Sequence, residues 1–118
     1  MPKVLIIDDE RSIRETLDIF LSEKGYEVFT SESGENGLTI IQENLLDIVI
    51  LDLRLPGMSG IEVVRKIKKF SPQLVIILIT AYHNEEVYAE VKSLGIDGYL
   101  LKPIDVIELE ALIEGVRK

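Results

Sequence analysis

Five residues able to do polar chemistry follow directly on apolar runs. Asp8 and Asp9 come after Val4–Ile7, Asp52 after Ile48–Leu51, Thr80 after Leu74–Ile79, and Lys102 after Tyr99–Leu101. A carboxylate at the end of a core-like segment is partly stripped of water, which is unfavourable unless a partner compensates. Three such carboxylates brought together would raise one another's pKa. Lys102 offers one positive charge and a divalent cation would offer two, which balances the three acids. An all-oxygen donor set, in a chain with no cysteine and one histidine, suits Mg²⁺ or its substitute Mn²⁺ better than zinc. Magnesium commonly keeps several waters and binds through one or two carboxylates together with phosphate oxygens. The set therefore reads as a receptor for a phosphoryl group, with Lys102 neutralising its oxygens and the Thr80 hydroxyl donating a hydrogen bond. A carboxylate can itself be the nucleophile and form an aspartyl phosphate, and Asp52, between metal and lysine, is the candidate.

This chemistry requires that the ends of four different segments meet. Strand-like runs at Val4–Ile7, Tyr26–Thr30, Ile48–Leu51, Leu74–Ile79 and Tyr99–Leu101 alternate with segments of helical period. Ile13, Leu17, Phe20 and Leu21 mark one face of the first helix, and Leu38, Ile41 and Leu45 the second. Ile61, Val64 and Ile67 mark the third, and Val87, Tyr88, Val91 and Leu94 the fourth. Leu109, Leu112, Ile113 and Val116 mark the fifth. Ser59 with Glu62 and Asp105 with Glu108 have capping-box spacing, and Gly25 and Gly95 stand where helices should stop. Strict strand–helix alternation predicts an α/β fold with right-handed crossovers and a parallel sheet covered on both faces. The unbroken apolar first, third and fourth strands belong inside, and the partly polar YEVFT at an edge. The predicted order is 2-1-3-4-5, the flavodoxin-like doubly wound (βα)5 fold, whose ligands sit at the carboxyl ends of strands 1 and 3.

Composition narrows the function classes. The 118 residues suit one domain, and 47% hydrophobic content with 29% charged residues is that of a globular chain. A net charge of −8 repels nucleic-acid phosphate. Six residues form the longest apolar run, against roughly 20 for a bilayer span, and strand-like sequence follows Met1-Pro2-Lys3 at once. The expectation is a soluble, cytoplasmic protein without a signal peptide, disulfides or direct nucleic-acid or membrane binding.

IIDDE, VILDLRLPGMSG, LITAY and GYLLKP stand in the order and spacing of the receiver domain of bacterial two-component response regulators, which the chain resembles over essentially its whole length. The resemblance implies a single receiver domain over residues 1–118, with no output domain in the chain. It implies that Asp52 accepts phosphate from a sensor histidine kinase or a histidine phosphotransfer protein. Asp8, Asp9, Asp52 and the backbone carbonyl of Arg54 would hold Mg²⁺, while Thr80 and Lys102 bind phosphoryl oxygens. A cis Lys102–Pro103 peptide is also implied. Arg54 and Tyr82 occupy the positions that tune self-dephosphorylation, and their bulk predicts slow loss of phosphate. Such a domain assists its own phosphorylation and dephosphorylation without being an enzyme.

Phosphorylation adds roughly −1.5 to −2 charge and three acceptor oxygens. Thr80 would turn toward that group and Tyr99, the switch aromatic, would swing into the vacated space. The altered surface comprises the fourth helix, fifth strand and fifth helix, where Tyr88, Val91 and Tyr99 could meet an effector or output domain, although Tyr88 and Val91 equally fit ordinary helix packing. Control of transcription and a phosphorylation-dependent dimer are among the outputs open to it. His83 reads as a solvated loop residue. Three rivals share parts of the pattern. A flavodoxin-type electron carrier would need hydroxyl and amide donors where Asp8-Asp9-Glu10 stands. A haloacid-dehalogenase-like phosphohydrolase would need a second acid where Arg54 stands. The third is a receiver fold used as a constitutive binding module.

Overall fold

β-Branched and leucine-rich runs form five parallel strands in the computed structural model of the chain, which describes residues 1–116. They are β1 (Lys3–Ile7), β2 (Glu27–Ser31), β3 (Ile48–Asp52), β4 (Val75–Thr80) and β5 (Gly98–Leu101). Between and after them lie α1 (Arg11–Glu23), α2 (Gly34–Glu43), α3 (Gly60–Phe70), α4 (Glu85–Ser93) and α5 (Val106–Val116). The sheet order is β2-β1-β3-β4-β5, as predicted. β3 is buried along its whole length, whereas β2 and β5 at the edges are only partly covered.

The period-2 alternation of strand side chains divides the core in two. Leu5, Ile7, Val49, Leu51, Ile76 and Leu78 pack against Leu38, Ile41, Val63, Val64, Ile67 and Val91 of α2, α3 and α4. Val4, Ile6, Ile48, Ile50, Ile77 and Ile79 pack against Leu17 and Leu21 of α1 and Leu109 and Ile113 of α5. Such fully buried side chains each contribute on the order of 1.5–3 kcal/mol, so the strands are fixed by both layers. Register then sets the positions at the carboxyl edge. Ile7 pairs with Leu51, Asp52 with Ile79, and Thr80 with Leu101. Asp8 therefore lies one step beyond β1, level with Asp52, and Lys102 one step beyond β5, its amide donating to the Thr80 carbonyl at 2.8 Å.

The helix ends follow local chemistry. Ser59 and Glu62 form the full reciprocal capping box, and Asp105 accepts from the amides of Ile107 and Glu108. Gly25 and Gly95 have φ of +94° and +91°, conformations that a side chain would disfavour, and both follow helix termini. Two expectations need correction. Leu45 is not on the face of the second helix: α2 ends at Glu43, Asn44 is extended, and Leu45 is 89% exposed. Leu74 precedes β4 and does not begin it; its amide closes a turn onto the Ser71 carbonyl. In both cases apolar character extended past the point where backbone hydrogen bonding stopped.

Candidate functional site at the carboxyl edge of the sheet

Asp52 ends β3 and is 4% exposed, and Asp8, just past β1, is fully buried. Burial of two acids side by side is tolerated because the chain brings donors to them. The Arg54 amide donates to Asp52 Oδ1 at 3.1 Å, and the Glu10 amide to Asp8 Oδ1 at 2.8 Å. Lys102 Nζ stands at the centre, 3.1 Å from Asp52 Oδ2, 3.0 Å from Asp8 Oδ2 and 2.9 Å from Glu10 Oε1. Its side chain is 9% exposed, so the pairs with buried Asp8 and Asp52 are shielded from screening by solvent, whereas Glu10 is exposed.

Burial pushes the Asp52 carboxyl above its ordinary range; the Arg54 amide opposes this, the Asp8 charge reinforces it, and Lys102 opposes it again. Burial works against the Lys102 charge too. There the close pairing with Glu10, Asp8 and Asp52 outweighs it and holds the ammonium above the usual lysine range. The cluster is thus a set of acids short of positive charge around one firmly charged amine.

The donor set fits a hard cation. Oxygens of Asp8, Glu10 and Asp52 lie within 4.8 Å of one another. Asp8 Oδ2 is buried and accepts no well-directed hydrogen bond, although the ammonium lies close by. An oxygen that is both buried and short of a donor suits direct contact with a metal ion.

Glu10, which the sequence reading left out of the site, joins Asp8 and Asp52 around Lys102. Asp9 is exposed and lines the mouth of the cleft with Glu10, Asp52, Arg54, Ala81, Tyr82 and Lys102. The backbone turn made by the Glu10 amide on Asp8 carries the side chain of Glu10 back toward Lys102. The run of three acids was the available signal, but this turn could not be read from it.

Thr80 is fully buried at the end of β4, and its hydroxyl is engaged by its own loop. It donates to the Tyr82 carbonyl at 3.1 Å and accepts from the Tyr82 amide at 3.2 Å. Tyr82 is 65% exposed, and the Arg54 guanidinium lies 4.8 Å from its ring centroid, a cation–π pair beside the cleft. Gly60 holds the loop that carries Arg54. A Cβ there would come within 2.7 Å of the Leu53 Cα, and the Gly60 amide donates to the Leu53 carbonyl at 3.1 Å. The Lys102–Pro103 peptide is cis. Tyr99 of β5 packs against the core layer beneath α2, α3 and α4, and burial raises its phenol pKa, with Tyr88 and Glu85 adding to the shift. His83 is an exposed loop residue, as expected, and its ring also contacts Tyr99 and Glu85.

Comparison with known proteins bears on the whole chain. Residues 4–114 match the response regulator receiver domain. The transcriptional regulatory protein AfsQ1 of Streptomyces coelicolor is 40% identical over 117 residues, which cover 98% of this chain and 51% of that protein. Sporulation initiation phosphotransferase F of Bacillus subtilis is 33% identical over 112 residues, or 95% of this chain and 90% of that one. The chain therefore spans about half the length of AfsQ1 and most of the sporulation protein. Among solved structures, TrrA of Thermotoga maritima in complex with Mg(2+)-BeF superposes with a TM-score of 0.88 at 38% identity, covering 98% of this chain and 99% of that one. CheY4 of Vibrio cholerae superposes with a TM-score of 0.93 at 33% identity, covering 98% of each chain.

Proposed function

The chain belongs to the response regulator receiver domain family, and on that premise we propose that Asp52 is its phosphoacceptor and Lys102 the cation that receives the incoming charge. The observation that carries this reading is the convergence of Asp8, Glu10 and Asp52 on one buried ammonium at the edge of the sheet.

Asp52 attacks the phosphorus of a phosphohistidine carried by a sensor histidine kinase or a histidine phosphotransfer protein. An O–P bond forms at the carboxylate, the N–P bond breaks, and the imidazole departs as the leaving group. The work of the site is positioning and charge neutralisation. Lys102 exchanges one of its three carboxylate contacts for a phosphoryl oxygen. Thr80 gives up its bonds to Tyr82 and donates its hydroxyl to another oxygen. Asp8 and Asp52, with Glu10 or Asp9 and the Arg54 backbone carbonyl, would hold the metal. Mg²⁺, or Mn²⁺ in its place, supplies positive charge to the phosphoryl oxygens when bound. The Arg54–Tyr82 pair restricts the approach of water to the acyl phosphate.

Thr80 and Tyr99 pass the change to the α4–β5–α5 surface, where an effector, an output domain or a second copy would bind. Residues 1–118 act as one receiver unit of a two-component system in the cytoplasm, and the unit itself contacts neither DNA nor lipid; among the described residues no helix is long and apolar enough to cross a membrane. Incubation with acetyl phosphate and Mg²⁺, followed by intact mass measurement, tests the reading. One phosphate should be gained by the wild-type chain and none by Asp52→Ala, whereas equal gain by both would refute the assignment.

A further inference from the structure

We propose that His83 is a latch that holds Tyr99 in its observed position until the Thr80 loop is released. This rests on the reading of Tyr99 as the switch residue and adds the group that restrains it.

The imidazole is held from both sides. Its Nε2 lies 2.9 Å from Glu85 Oε1, and its Nδ1 lies 3.3 Å from the Tyr99 hydroxyl. A carboxylate can only accept, so Glu85 requires the proton on Nε2. In the neutral ring Nδ1 is then a bare acceptor, and the Tyr99 hydroxyl donates to it. Glu85 thus selects the tautomer that can hold Tyr99. Ring contacts add to the bond. His83 meets Tyr99 edge-on at 5.8 Å between centroids, and Tyr88 meets Tyr99 at 4.7 Å and His83 at 5.7 Å. Three rings from β5, α4 and the loop between β4 and α4, the switch residue among them, therefore form one cluster.

The loop end of this cluster is tied to the phosphorylation site. His83 follows Tyr82, whose amide and carbonyl are both bonded to the Thr80 hydroxyl. On its other side Asn84 caps α4, accepting from the Val87 amide at 3.0 Å. His83 is consequently pinned between an anchor that phosphorylation removes and a helix start that stays in place. When the Thr80 hydroxyl turns to a phosphoryl oxygen, both bonds to Tyr82 are lost and the segment bearing His83 loses its support. The Nδ1 bond to Tyr99, long at 3.3 Å, is the contact least able to survive that loss. Because coupling is reciprocal, breaking the latch by mutation should favour the phosphoryl-bound state.

The test uses the full chain with beryllium fluoride and Mg²⁺ as the phosphoryl mimic. Its affinity is read by calorimetry, and the position of Tyr99 by fluorine resonances of fluorotyrosine-labelled protein. The Tyr99 signal is identified by its disappearance in Tyr99→Phe. His83→Phe keeps a ring but removes both nitrogens. It should shift the free-state Tyr99 signal toward its mimic-bound position and tighten mimic binding by about 3- to 10-fold, the range for loss of one hydrogen bond. His83→Asn places an acceptor near the Nδ1 position and should return both readouts to the wild-type values. Tyr99→Phe removes the bond from the other end and should tighten binding by the same factor, with no further gain in the double variant.

The latch is overturned if His83→Phe changes neither readout, if His83→Asn behaves like His83→Phe, or if the two single gains multiply. A wild-type Tyr99 signal that ignores the mimic would instead overturn the role of Tyr99 as the switch, and the latch with it.

Discussion

β3 and β5 end at the same site with β4 between them, yet the fold treats them differently. Every residue of β3 is buried, with helices on both faces, and it delivers Asp52. β5 is a four-residue edge strand whose Leu101 is half exposed, and it delivers Tyr99 and leads into Lys102. A phosphoacceptor must be immobile if a phosphoryl group is to arrive in line with it, so the acceptor stands on the strand with most cover. A reporter must be able to move at modest cost, and the aromatic proposed as the switch stands on a partly covered edge strand.

The largest effect expected from this contrast concerns stability. Ile50→Ala, at a fully buried position of β3, should cost about 2–5 kcal/mol in denaturant unfolding. A cost below about 1 kcal/mol would remove the claim that β3 is the rigid element. Next comes the charge that β3 buries. The pKa of folded Asp52 lies above its unfolded value, so at pH between the two the native state holds a proton that the unfolded chain has already lost. Stability associated with that proton is present below the ordinary aspartate range and is lost as pH rises through the raised value. Asp52→Asn should therefore raise Tm at neutral pH, and the gain should shrink as the solution is acidified. A Tm that falls at neutral pH would show that the Lys102 pairing outweighs the burial of the acid.

Smaller effects sharpen the comparison on the loop side. Arg54→Ala combined with Tyr82→Ala should speed phosphate release by about 2- to 5-fold, the kinetic equivalent of an exposed cation–π contact. A phosphate-release assay with an unchanged rate would leave the pair as surface cover only. The smallest change belongs to the β5 edge, where Leu101→Ala should alter unfolding free energy by no more than about 0.5 kcal/mol. A much larger loss would mean that β5 is as firmly held as β3.

Much of this contrast is legible in the amino-acid sequence. The unbroken run IVIL marks β3 as interior, because a strand between two helical layers has no polar face. Strand–helix alternation leads to the sheet order, and the order leads to the edge where Asp8, Asp52, Thr80 and Lys102 gather. The features that sequence does not reveal depend on local backbone turns and on contacts between distant segments. Asp9 and Glu10 are both acids next to Asp8, and only the turn at Asp8 decides which of them returns to Lys102. His83 carries no signal in its neighbours, since its partner Tyr99 is 16 residues away. Leu45 has the right period for a helix face, but α2 stops two residues before it.

The central claim is that a phosphoryl group attaches to Asp52 and nowhere else. Treatment with acetyl phosphate and Mg²⁺, reduction of the acyl phosphate with borohydride, and peptide sequencing would locate it directly. Homoserine at position 52, formed only when Mg²⁺ is present, is the expected result. Label at another carboxylate, or a chain that remains unmodified while still folded, would contradict it.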